Sequence, residues 1–337
     1  MVFCFGELLL RLSPELGGEW ITSASMPVYV GGAELNAATA LAGWGVPTGY
    51  CTALPSNYLS EEIIDHLRDK KINVKAIHRS GNRIGIYYLP PGADLKNAGV
   101  IYDRAGSAFT ELQTGMIDWD EVLKGYSWFH FSAISPALGA HTADLCIEAV
   151  KAASRLGLTI SVDLNYRAKL WQYGTAPTDI MPELVKYCQV VMGNVWSVES
   201  LLGIPAPMAD STGRARAELI SAARESMDML REKYSGINTI AYTYRLSSDY
   251  FAVLDLMGEI TVSNDFDIGL VVDRVGSGDC FMGGLIYGLT NKHAPAQVIN
   301  FAAAAAVGKL HEHGDSTRQT VADVNHVLST RSIQTHG

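Results

Sequence analysis

No Cys-x-x-Cys pair occurs anywhere in this chain, and its five cysteines (Cys4, Cys51, Cys146, Cys188 and Cys280) are scattered and odd in number. That spacing argues against a disulfide framework or a zinc site and for reduced core thiols in a cytosolic protein. Positive charge is also scarce. With 26 Lys and Arg against 35 Asp and Glu the formal net charge is −9, which disfavours broad binding to nucleic acid or anionic membranes. An anionic ligand would need a local cluster of arginines. No apolar run approaches the roughly 20 residues of a membrane span. The opening MVFCFGELLLRL has no basic segment and carries Glu7, unlike a signal peptide, and the alanine-rich run 301–308 is too short to cross a bilayer. There is no GxxxxGK[ST] loop and no GxGxxG fingerprint, so any phosphate chemistry lies outside those two classes. His311 and His313 have no third ligand at useful spacing, and no resident metal is expected there.

What is present is a chain of 337 residues, 48% hydrophobic, long enough for one large core and a smaller appendage. Residues 1–10 read as a buried strand ending near Gly6 and Glu7. Trp20, Ile21, Val28 and Val30 suggest short strands about a turn. Helical spacing follows Gly31-Gly32, then a strand (48–53) and a helix (60–71). Residues 76–111 again look strand-like: Ile84, Ile86 and Tyr88 alternate, and Val100 to Tyr102 follow a proline–glycine turn. From residue 112 strands and helices alternate: strands at 128–132, 159–163, 190–192 and 239–243, and helices at 143–156, 181–187, 218–233, 279–289 and 294–311. Such alternation predicts an α/β fold with a mostly parallel sheet between two helix layers. The core comprises residues 1–10, 31–75 and 112–337. The strand-rich pieces 11–30 and 76–111 are expected to pack together as a small antiparallel β-sheet lid, with a ligand beneath it at the carboxyl ends of the parallel strands.

Three motifs carry chemistry. The first is DRVGSGD at 273–279, opening a helical run. Gly276 and Gly278, flanking Ser277, let several N–H groups converge at a helix N-terminus, a nest for phosphate oxygens. Asp279 in that first turn is expected to stay ionised and to accept a proton from an attacking hydroxyl. A plain N-capping Asp after a glycine turn would look the same. The second motif is GGAELNAA at 31–38: Gly32 permits close approach of a hydroxylated ligand, and Asn36 can donate and accept at once. A glycine turn leading into a helix is the bland alternative. The third is DLNYR at 163–167, directly after a strand, where Arg167 is placed to clamp a carboxylate or phosphate unless it serves a surface ion pair. Arg104 in the strand-like Tyr102-Asp103-Arg104 offers a second guanidinium, and two Arg at one pocket would suit a carboxylated substrate.

Together GGAELNAATALAGWG (31–45) and DRVGSGD resemble the two signatures of the ribokinase (PfkB) family of carbohydrate kinases, and the resemblance covers nearly the whole chain. Within that family GNRIGIYYL (81–89), YDRAGSA (102–108), FHFSAISPALG (129–139), DLNYRAKLW (163–171) and HGD (313–315) look most like the 2-keto-3-deoxygluconate kinase branch. The resemblance implies a ribokinase-like three-layer α/β/α core. It implies that Gly32, Tyr87, Tyr102, Arg104, Ile134, Arg167 and Asp315 surround a keto acid, with Asn36 near them. It implies Asp279 as catalytic base, an anion hole at 276–278, and nucleotide contacts at Asn165, Asn194, Thr243, Arg245 and Ser248. ATP with Mg²⁺ would be the phosphoryl donor, and the 6-hydroxyl the acceptor. Three positions depart from the family pattern: Arg274 stands where Thr is usual, Cys280 follows the catalytic Asp, and Thr243-Tyr244-Arg245 replaces a glycine-rich nucleotide segment. The alanines at 302–306 read as a core helix more readily than as an adenine wall. The lid's outer face is an expected contact between copies of the chain. A kinase of a neutral sugar such as fructose or ribose, and a non-catalytic sugar sensor, are the rival readings.

Overall fold

The computed structural model describes residues 1–15, 20–22, 24–90 and 99–333. The proline–glycine turn expected at Pro91 and Gly92 lies outside the described residues.

The first strand shows how the core is built. In Val2–Phe5, Val2 and Cys4 point to one face of the sheet and Phe3 and Phe5 to the other, and all four are buried. A strand covered on both faces has no use for polar alternation, which is why it reads as a continuous apolar run. The strands Ile72–Asn73, Thr48–Cys51, Val2–Phe5, Trp128–Ser132, Thr159–Asp163, Val190–Gly193 and Thr239–Arg245 lie side by side in that order, all parallel. Asp249–Leu256 then pairs antiparallel with Thr239–Arg245 and carries the sheet on to Asp265–Asp267 and Ser332–Ile333.

Helices cover both faces. Ala140–Arg155, Pro177–Val185, Val195–Leu202 and Arg216–Lys233 contribute Leu145, Met181, Val198 and Leu219 to the layer beneath Phe3, Phe129 and Val191. Ala33–Gly43, Ser277–Thr290 and Pro295–Lys309 cover the opposite face. The last two pack closely because they are made of small residues: a Cβ on Gly284 would sit 2.7 Å from Ala302 Cα. The alanines at 302–306 are wholly buried in this contact, so they form core and not a pocket wall. All five cysteines are buried free thiols, and no described helix is long and apolar enough to cross a membrane.

The small sheet takes strands from both expected segments, in the order Val28–Gly31, Leu9–Leu12, Gly85–Tyr88, Ile101–Asp103. Its outer pairs are antiparallel, but its central pair, Leu9–Leu12 with Gly85–Tyr88, is parallel. That pairing follows from connectivity, because the main-sheet crossover of residues 33–73 separates the two strands. Leu9 and Leu10 belong to this sheet, whereas His78–Arg79 pairs with Ala53–Leu54 apart from it. Trp20 and Ile21 form a turn and not a strand, with the Trp20 ring stacked on Tyr88. Sequence reading also passed over Val195–Leu202, Asp249–Leu256 and Val321–Arg331. The first of these helices is short, and the second element follows a tight turn that blurs its start.

Candidate active site

Polar residues gather where the parallel strands end. Asp163, Gly193 and Arg245 terminate three neighbouring strands, and a cavity of about 580 Å³ opens there beneath the small sheet. Its wall includes Asp279, Gly276, Ser277 and Gly278; Gly32, Asn36, Tyr87, Tyr102, Arg104, Ile134, Arg167 and Asp315; and Asn165, Asn194, Thr243 and Arg245. Residues scattered in sequence from Gly32 to Asp315 thus converge on one space. Ser248 does not. It is exposed in the turn after Thr239–Arg245, where its hydroxyl donates to Asp249 Oδ2 at 3.0 Å, so its expected nucleotide contact is not supported by placement.

Gly276 caps the Ser277–Thr290 helix with φ 80°, a left-handed conformation that favours glycine. A Cβ there would lie 1.8 Å from the carbonyl oxygen of Asp315, so the close approach also demands it. At Gly278 the situation is opposite. A Cβ would meet nothing nearer than Met192 Cε at 4.0 Å, because this position faces the cavity. The first N–H groups of the helix have no partner within it and carry the positive end of its dipole. Ser277 contributes only through its backbone: its hydroxyl donates to Ala306 O at 3.0 Å and ties the turn to the neighbouring helix.

Asp279 is buried, and Asn36 Nδ2 donates to its Oδ2 at 2.7 Å. Asn36 Oδ1 in turn accepts from the Ser316 hydroxyl at 2.9 Å, which fixes the amide's orientation. Burial pushes the Asp279 carboxyl up to about 8; the Asn36 hydrogen bond pulls it down, Asp163 and Glu34 push it up, and Arg167 pulls it down. This corrects the expectation of an ordinary ionised carboxylate. The helix dipole was the only influence visible in the sequence, and burial outweighs it.

Arg104 faces the cavity, but Glu7 already holds it: Nε and Nη2 both lie 2.6 Å from Glu7 Oε2. Ser107 Oγ donates to the other oxygen, Oε1, at 2.5 Å. Glu7 and Arg104 are both buried, so this pair bridges the end of the first core strand to the small sheet. Asp315 is similarly engaged, with Tyr87 Oη donating to Oδ2 at 2.6 Å and Arg11 Nε 2.9 Å from Oδ1. Arg167 is half-buried and donates from Nη1 to the Tyr166 carbonyl at 3.1 Å. Asn194 Oδ1 accepts from Ser197 N at 2.9 Å and so caps the Val195–Leu202 helix. Lys169, Trp196 and Arg274 also line the cavity and were not singled out as ligand contacts. Arg274 had a legible signal, a cation two residues before Gly276 where the family resemblance expected Thr.

Among the described residues no group of three or more His, Cys, Asp or Glu side chains is arranged to hold a metal. Asp163, Asn165 and Asn194 line the cavity, and their side chains carry oxygen, the donor type a Mg²⁺ ion accepts when phosphates and water complete its shell.

The description of the pfkB family carbohydrate kinases matches residues 1–321. A 2-dehydro-3-deoxygluconokinase crystal structure from Thermotoga maritima is 35% identical and superposes with a TM-score of 0.87, covering 97% of this chain and 99% of that one. A 2-dehydro-3-deoxygalactonokinase of Haloferax volcanii is 26% identical over 334 residues, 96% of this chain and 95% of that protein. A 2-dehydro-3-deoxygluconokinase of Bacillus subtilis is 27% identical, covering 85% and 82%. With the glycine turn, its buried carboxylate and the small sheet all in place, the chain belongs to the pfkB family of carbohydrate kinases.

Proposed function

We propose that the protein transfers the γ-phosphoryl group of ATP to the 6-hydroxyl of 2-keto-3-deoxygluconate. The observation that carries this reading is the junction of Asn36, Asp279 and the 276–278 turn. One helix start carries both a carboxylate held at 2.7 Å by Asn36 and the glycine turn, and both line the same cavity. Asp279 takes the proton of the attacking hydroxyl, and a carboxyl raised to about 8 suits that task better than an ordinary one. The N–H groups of the turn stabilise charge on the transferring phosphoryl group. Asp163, Asn165 and Asn194 are the residues that would hold a Mg²⁺ ion bound with the nucleotide, which would supply neutralisation of the phosphate charge. Asn165, Asn194, Thr243 and Arg245 form the nucleotide side of the cavity; Gly32, Tyr87, Tyr102, Ile134 and Arg167 form the sugar side. The small sheet acts as a lid that keeps water from accepting the phosphoryl group.

The choice of a sugar acid is supported by the names of the relatives and by Arg167, whose guanidinium faces the cavity. The test is ADP release, with the phosphorylated product identified by ³¹P NMR, for 2-keto-3-deoxygluconate, its C4 epimer, fructose and ribose. The acids should exceed the neutral sugars by at least about tenfold in kcat/KM, the worth of one charge-assisted contact. Fructose turned over as well as the acids would replace this reading with a neutral-sugar kinase, and no ADP from any of them would point to a sensor.

A further inference from the structure

One buried cation has no part in the chemistry described so far. Arg11 lies on the Leu9–Leu12 strand of the small sheet, in register with Tyr29 on one side and Tyr87 on the other. Its side chain is wholly buried, yet it points out of the small sheet into the core. Nη1 and Nη2 reach the two oxygens of Asp273 at 3.2 and 2.5 Å, and Nε lies 2.9 Å from Asp315 Oδ1. The Tyr29 ring covers the guanidinium at 4.6 Å.

Both carboxylates are built into the glycine turn. Asp273 Oδ1 also accepts from Val275 N at 3.1 Å, and Oδ2 from Gly314 N at 3.3 Å, so it joins the turn to the C-terminal loop. The Asp315 carbonyl sits against Gly276 so closely that no Cβ fits between them. Behind the turn lies a second buried cation, Lys309, whose Nζ donates to the Glu312 carbonyl at 3.2 Å. Its Cε is 3.4 Å from the position a Gly276 Cβ would take. Two carboxylates and two basic side chains thus meet behind the turn, all buried, and Arg11 alone among them comes from the small sheet.

We propose that Arg11 is a positioning residue for phosphoryl transfer: through Asp273 and Asp315 it couples the seating of the small sheet to the geometry of the 276–279 turn. The N–H groups that meet the phosphoryl group are then held in line only while the sheet covers the cavity. A fork of planar N–H donors reaching two carboxylates at once cannot be replaced by the point charge of a lysine. Loosening it misplaces the turn and unseats the cover together. Water can then take the acceptor's place: its oxygen bonds to the γ-phosphorus, the bond from that phosphorus to the ADP oxygen breaks, and ADP, inorganic phosphate and a proton leave. This inference rests on the kinase activity and not on the identity of the sugar.

The test compares Arg11→Lys and Asp273→Asn with the wild type, using whichever sugar the wild type phosphorylates, so that failure of the sugar-acid assignment changes the acceptor and nothing else. Three quantities are read: kcat, the Kd for ATP, and the ratio of ADP formed to sugar phosphate formed. The ratio does not depend on how much of a preparation is folded, so a general loss of structure leaves it unmoved. In the wild type it should be close to one. In both variants it should rise at least about twofold, while kcat falls roughly 10- to 100-fold, the scale of a small misplacement of reacting groups, and ATP affinity holds within about threefold. A ratio that stays at the wild-type value in a folded variant overturns the coupling, whatever happens to kcat. If Arg11→Lys does not fold, Asp273→Asn, which keeps a hydrogen-bonding group of the same shape, decides alone.

Discussion

Asn36 Nδ2 and Asp279 Oδ2 lie 2.7 Å apart, across 243 residues of sequence, and this contact joins the two glycine motifs into one site. An amide that donates to a carboxylate favours its charged form. Asn36 thus opposes the burial that pushes Asp279 up. Removing it with Asn36→Leu should raise the Asp279 pKa further, so the acidic limb of the kcat/KM profile moves to higher pH. A limb that stays in place, or moves to lower pH, would remove Asn36 from this role.

Asp279→Asn should keep the fold and lose about 10²–10⁴-fold in kcat, because an amide cannot take the proton. The same variant has a stability signature. The folded carboxyl titrates near 8 against an ordinary 3.8, so the folded state holds more protons than the unfolded one between those values. Wild-type stability should therefore fall as pH rises through that window, while the amide escapes the penalty. The variant's gain in Tm should be small at pH 4 and largest above pH 8. A gain that does not grow with pH would mean that Asp279 is charged in the folded protein.

Gly276 and Gly278 should separate under substitution. Gly276→Ala forces a Cβ against the Asp315 carbonyl and into a left-handed backbone, so it should lower Tm markedly. Gly278→Val meets open space, so thermal unfolding should change little while kcat collapses, because the side chain stands where the phosphoryl group must lie. If Gly278→Val is folded and fully active, the phosphoryl group lies elsewhere.

Arg104→Ala should cost stability. It strips Glu7 of its buried partner and leaves only Ser107, a change worth about 3–5 kcal/mol in comparable buried pairs. Adding Glu7→Gln should restore much of that stability. Arg167→Ala, at a half-buried residue, should instead raise KM for the acid by about 10- to 100-fold with little loss of Tm. An Arg167 variant whose KM rises equally for a neutral analogue would argue against carboxylate recognition. Urea unfolding of the Arg104 variants and KM values for the Arg167 variant check these outcomes.

Much of this site was legible in the residue order because its parts are local. A glycine turn before a helix, and polar residues directly after a strand, are short patterns set by backbone geometry, and the strands at 128–132 and 159–163 were readable to the residue because their β-branched and aromatic residues (Trp128, Phe129, Phe131, Ile160, Val162) stand out between polar flanks. Tertiary structure alone decided what each charged group does. Arg104 reads in sequence as a ligand clamp, but the fold brings Glu7 to it from 97 residues away. Asp273 reads as part of a phosphate motif, but it grips Arg11 across 262 residues. The proton affinity of Asp279 depends on how completely water is removed from it, and burial is a property of the packed whole. Sequence by itself determined the elements and the chemistry available at their ends. Packing determined which charges meet each other, which meet the ligand, and at what pH.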